Sequence, residues 1–124
     1  MYINPAFQFD RTASLAFAAE HAFGLVVACG ADRPVASPLP FHLDYAADGT
    51  PRVGFHVARV NPLARLAAAG GGAWLLSVVG HDAYVSPDWY ASPDQVPTWL
   101  YESVQLAGPV EIMSNTELTR HLDL

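Results

Sequence analysis

Arg52-Val53-Gly54-Phe55-His56-Val57-Ala58-Arg59-Val60-Asn61-Pro62-Leu63 is the stretch whose reading decides the fold. Val53, Phe55 and Val57 alternate with Arg52, Gly54 and His56, the period of two that a strand with two different faces requires. Asn61 then offers the side-chain oxygen of a helix cap, and Pro62 brings the fixed φ that suits a first helical position. Leu63 and Leu66 share a face of that helix, and Gly70-Gly71-Gly72 stops it. Arg59 is left at the end of the strand, just before the helix begins.

Upstream, Asp48-Gly49 marks a turn into this strand. Before it, residues 35–45 read as a strand that carries Pro38 and Pro40. Proline has no N–H to give a ladder, so this strand belongs at an edge, at a bulge, or where a ligand or second chain takes over the pairing, and it is a candidate wall of a site. Residues 24–29 form a continuous apolar run of strand length, joined to that strand through Gly30-Ala31-Asp32-Arg33-Pro34 as a hairpin. A helix precedes them, capped by Asp10 or Thr12. Its buried stripe is Leu15, Ala18, Ala19 and Ala22, and Gly24 ends it.

Downstream, residues 73–79 and 83–86 read as two strands separated by Gly80. Pro87, Pro93 and Pro97 hold a long loop bearing tryptophan and tyrosine. A further strand covers residues 99–107, broken by Gly108-Pro109 and resumed at 110–113. Roughly six strands result, and a small barrel is the economical closure because it removes exposed edges. Ser114-Asn115-Thr116-Glu117 has the form of a capping box, with Leu118 and Leu122 on one face of the helix it starts. So short a helix is marginal without packing, which predicts that it docks on a neighbour or was cut from a longer protein.

The 124 residues, 52% apolar and 15% charged, fit one globular unit spanning residues 1–124. A domain this small leaves much surface exposed, so a partner subunit or a cofactor would add useful burial. The formal charge of −6 and the lack of a helix-turn-helix pattern argue against direct nucleic-acid binding. All six cations are arginines, which suits forked recognition of phosphate. Cys29 is the only cysteine and reads as an inert buried thiol. Without a membrane-length apolar run or a leader pattern, the expected location is cytoplasmic.

His42, His56 and His81 stand on different strands without paired-ligand spacing, so each reads as a half-buried hydrogen-bonding residue and no metal is expected. Ser37, Ser86 and Cys29 lie in none of the local contexts of a catalytic nucleophile. Tyr84, Trp89, Tyr90, Trp99 and Tyr101 suit either a ring-stacking site or a subunit interface, with the interface favoured. The triple glycine follows a helix, not a strand, and so is no phosphate loop.

Three segments in order, residues 56–62, Ala83-Tyr84-Val85-Ser86-Pro87 and Val96-Pro97-Thr98-Trp99, resemble the PaiB-like family of FMN-binding split-barrel proteins. Met1-Tyr2-Ile3, Pro40-Phe41 and Asp88-Trp89-Tyr90 extend the likeness over nearly the whole chain. The resemblance implies a mainly β, six-stranded split barrel with short flanking helices, a homodimer, and one flavin mononucleotide (FMN) in each cleft between subunits. It is a fold shared with pyridoxamine-phosphate oxidases and flavin reductases. On this reading His56, Val57, Ala58 and Arg59 approach the phosphate and ribityl chain, Arg59 is the forked phosphate donor, Asn61 holds the turn, and Trp99 belongs to the cofactor site. Asn61 also opens a helix whose N-terminus is expected to offer free amides to an anion. Leu100 and Gln105 stand where family members usually carry asparagine and histidine. Haem is a further ligand known to related barrels. The function implied is that of a flavin-binding homodimer of the transcriptional-regulator family. The alternatives are a flavin-dependent oxidoreductase acting on a small molecule, or a dimeric module that has lost its flavin site.

Overall fold

The computed structural model describes residues 5–70 and 72–123. A 3-10 turn at Pro5–Phe7 leads into helix α1 (Arg11–His21) and strands β1 (Phe23–Cys29), β2 (Pro34–Pro40), β3 (His42–Tyr45) and β4 (Pro51–Gly54). Helix α2 (Pro62–Ala69), strand β5 (Ala73–Val85), a 3-10 turn at Pro87–Trp89, strand β6 (Thr98–Pro109) and helix α3 (Asn115–Leu122) complete the order.

The chain is mainly β, with six strands, all antiparallel, in a four-stranded sheet ordered β2-β1-β5-β6 and a ribbon of β3 with β4. This is consistent with the split-barrel class. No ladder joins the two sheets among the described residues, so β2 and β6 remain outer strands. The β2 edge is blunted by its prolines. Pro38 pairs with Leu25 and Pro40 with Phe23, at an edge where a missing N–H leaves no inner ladder broken.

Alternation decides which side chains enter the core. Val26 and Ala28 of β1, Trp74, Leu76 and Val78 of β5, and Val104 of β6 are buried together with Ala18 of α1 and Leu63 of α2. Leu63 is fully enclosed, and burying such a side chain is worth about 1.5–3 kcal/mol. The strand expected over residues 35–45 is in fact two. Phe41 turns inward, 5% exposed, and its N–H donates to the Ala22 carbonyl at 2.9 Å, so the chain passes from one sheet to the other at this residue.

Further corrections have local causes. Asp10 caps α1 through the Ala13 N–H, but the helix ends at Ala22, whose φ of 51° is left-handed and whose N–H donates to the Ala18 carbonyl. Ala19, expected in the buried stripe, is exposed, and Phe17 takes a half-buried place on the core. Gly24 is a strand residue, because a Cβ there would stand 2.7 Å from Leu76 Cδ1 and 2.8 Å from the Ser77 carbonyl oxygen. Gly80 does not divide two strands. It lies in a slip of register between Val79 and Asp82 within one long strand, and the Phe17 ring occupies the space a side chain would need. The β4 ladder stops at Gly54, although Phe55 and Val57 keep the inward positions of the alternation. Residues 110–113 are not a strand, and Cys29 is exposed. Gly70 ends α2 as expected, Gly71 lying outside the described residues.

Candidate functional site

The connection from β4 to α2 is organised by one amide. The Asn61 N–H donates to the Ala58 carbonyl at 2.9 Å, closing a turn around Arg59 and Val60. Its Oδ1 accepts the Leu63 N–H at 2.9 Å, and its Nδ2 donates to Ser37 Oγ of β2 at 3.0 Å. The side chain therefore ties the turn to the helix and to the edge strand that the prolines single out. Val57 packs on the core, which turns the flanking His56 and Ala58 outward.

Arg59 sits exposed on the turn and makes no side-chain hydrogen bond or ion pair among the described residues. Its guanidinium is available to a ligand, on a backbone that Asn61 holds still. The α2 N-terminus is less available than expected. Pro62 has no N–H, Leu63 gives its own to Asn61 Oδ1, and Ala64 gives its own to the Asn61 carbonyl at 3.0 Å. The cap that starts the helix uses up these amides, so a phosphate here depends on the arginine.

Trp99 lies at the far side of the four-stranded sheet, 58% exposed on β6, with its ring edge-on to Tyr84 at 5.8 Å. Leu100 and Gln105 are exposed on the same strand, paired with Ala83 and Ser77. The predicted site residues thus fall into two groups: residues 56–61 beside β2, and Trp99 on β6, the two outer strands of the sheet.

His56 Nδ1 shares a hydrogen bond of 3.0 Å with His121 Nε2 of α3, and the His121 ring lies 4.6 Å from that of His42. Burial, then the neighbouring His42 and His56, hold the His121 imidazole below its ordinary pKa. His121 was missed in the sequence, where its only signal is a place three residues after Leu118 on a capped helix. His56 and His81 are exposed instead of half-buried, and the His81 Nδ1 lies 3.8 Å from Glu102 Oε2, too far for a hydrogen bond. No group of three or more side chains suited to hold a metal ion occurs among the described residues.

A family model described as "Putative FMN-binding domain" matches residues 1–124. The chain belongs to the PaiB-like FMN-binding family. The "Protease synthase and sporulation protein PAI 2" of Bacillus subtilis is 32% identical over 125 residues, covering 100% of this chain and 59% of that protein. This PaiB-like chain therefore spans about three-fifths of the length of the curated relative it matches. The donor set of the PaiB-like chain suits a flavin phosphate. It has an arginine with no side-chain partner among the described residues and a pinned turn beneath it, while the exposed Trp99 stands apart on β6.

Proposed function

We propose that this PaiB-like chain is a flavin-binding homodimer of the transcriptional-regulator family, holding one FMN per subunit with Arg59 on its phosphate. The observation that carries this reading is the whole-chain match to an FMN-binding family, together with an unengaged guanidinium on the turn fixed by Asn61. His56 and Ala58 line the approach to the phosphate and ribityl chain, Val57 anchors the segment in the core, and Trp99 contributes an aromatic face. Bound FMN supplies electron-transfer chemistry through its isoalloxazine ring. The chain's own residues bind and orient it.

Surface supports the dimer. A folded monomer of 13.3 kDa exposes roughly 6,500 Å², whereas this chain exposes 9333 Å². The excess is larger than the ~800 Å² that one partner buries in a standard interface. Val79, Tyr84, Trp99, Leu100 and Tyr101 supply exposed apolar area along the β5–β6 ladder. One site group beside β2 and the other on β6 is also the arrangement expected if a second subunit completes each cleft. On this reading residues 1–124 act as one cytoplasmic unit. No helix among the described residues is long and apolar enough to cross a membrane. A net charge of −6 disfavours direct DNA binding.

The test is titration of FMN followed by flavin fluorescence, with analytical ultracentrifugation alongside. Saturable binding of one FMN per chain in a dimer is expected. Fluorescence unchanged at stoichiometric protein, or a monomer that persists at high concentration, overturns the corresponding half of the proposal.

A further inference from the structure

Helix α3 has no buried residue, and its Leu118 and Leu122 are exposed. Its most enclosed side chain is His121, which lies between two other imidazoles. On one side His121 Nε2 shares the 3.0 Å hydrogen bond with His56 Nδ1, the rings standing edge to face at 5.2 Å. On the other its ring leans over His42 of β3, and its Nδ1 is buried without a hydrogen-bond partner among the described residues. Gly54 makes room for the arrangement, since a Cβ there would lie 2.7 Å from His42 Cε1 and 3.3 Å from His121 Nδ1.

We infer that His42, His56 and His121 form an acid-sensitive latch, which holds α3 against the β3–β4 ribbon when neutral and releases it when more than one ring is protonated. The hydrogen bond between two imidazoles needs one bare nitrogen, so one added proton is tolerated but a second leaves two N–H groups facing each other. His42 offers no anionic compensation, and two positive rings at these separations repel in a partly dry site. Asp44 of β3 and Asp123 just after α3 are exposed carboxylates, and neither is among the groups that shift His121. Arg52 of β4 is engaged with Glu111 at 3.4 Å, Glu117 is taken up by Ser114, and Arg120 adds a further positive charge on α3 itself.

The direction follows from the lowered His121 pKa. In the latched state the ring resists protonation, so the hold on α3 is complete above the ordinary histidine value of about 6.5 and declines as pH falls below it. Release belongs to the cluster and not to one residue, since His121 contacts both of the other rings. Because His56 lies in the segment assigned to the cofactor, release also changes what that segment presents to a ligand. The latch itself does not depend on flavin and is measured without it.

The experiment is NMR relaxation of backbone amides in the flavin-free protein at pH 7.5 and 5.0, with EDTA present, alongside titration of the histidine ring carbons. Order parameters of residues 116–122 are expected to drop from roughly 0.85 to below about 0.6 while those of β1 and β5 stay unchanged. The drop should share its midpoint with the ring signals of His56 and His121. In His121→Gln, which keeps a hydrogen-bonding partner for His56 but does not titrate, α3 should stay ordered at both pH values. If this variant loosens α3 even at pH 7.5, the shared midpoint in the parent protein decides. Order parameters in α3 that do not change while the rings titrate, or an equal drop in an α3-ordered His121→Gln, overturn the latch.

Discussion

Gly24 shows how closely β1 and β5 approach. A methyl group at this position would meet both a leucine side chain and a backbone carbonyl below 3.0 Å, and the carbonyl cannot swing aside without moving the strand. Gly24→Ala is therefore expected to destabilise the fold by about 1–3 kcal/mol, seen as a lower urea midpoint at unchanged slope. Asn61 is the second decisive residue, since a single side chain serves as both acceptor and donor. Asn61→Ala removes the cap and the link to Ser37 together and should cost about 1–2 kcal/mol. Asn61→Asp retains the cap acceptor but loses the Nδ2 donor, and should fall between the two in the same denaturation experiment.

At the scale of elements, α3 depends on its first turn and on the histidine contacts. The Ser114 N–H and hydroxyl both donate to Glu117 Oε2 at 2.8 Å, while Ser114 Oγ accepts the Glu117 N–H at 3.3 Å. These bonds, the backbone one first, hold the Glu117 carboxyl below its ordinary range. A carboxylate lowered in the folded state contributes above its unfolded value and loses that contribution as pH falls through the folded one. Acid titration of the Ser114 amide shift should therefore report a transition below the usual glutamate range, absent in Glu117→Gln. Most of the helix punctuation was legible in the sequence, because caps and stops are local: Asp10, Asn61 with Pro62, Gly70, and Ser114 with Glu117 act where expected, whereas α1 stops at Ala22 and Gly24 belongs to β1. Strand ends were less so. The break at Phe41 and the continuity through Gly80 are set by partners far along the chain, Ala22 in one case and Phe17 in the other. The candidate site divides in the same manner. The pinning of the turn by Asn61 could be read from a cap motif, whereas its bond to Ser37 and the meeting of His56 with His121 join residues separated by 24 and 65 positions.

For the whole molecule, the proposed dimer has a candidate surface on β6, the outer strand that exposes Trp99, Leu100 and Tyr101. Leu100→Asp and Tyr101→Asp place a charge in that surface without touching a core residue. Each should shift sedimentation from dimer toward monomer and weaken FMN binding in step, if the cleft needs two copies. The most direct measurement is the affinity of the parent protein and Arg59→Ala for FMN and for riboflavin, which lacks the phosphate. A charge-assisted fork of about 1.5–3 kcal/mol predicts roughly 10- to 150-fold weaker FMN binding in the variant, with riboflavin affinity nearly unchanged. Equal FMN affinity in the two proteins, or a loss of the same size for riboflavin, would contradict the assignment of Arg59 to the phosphate.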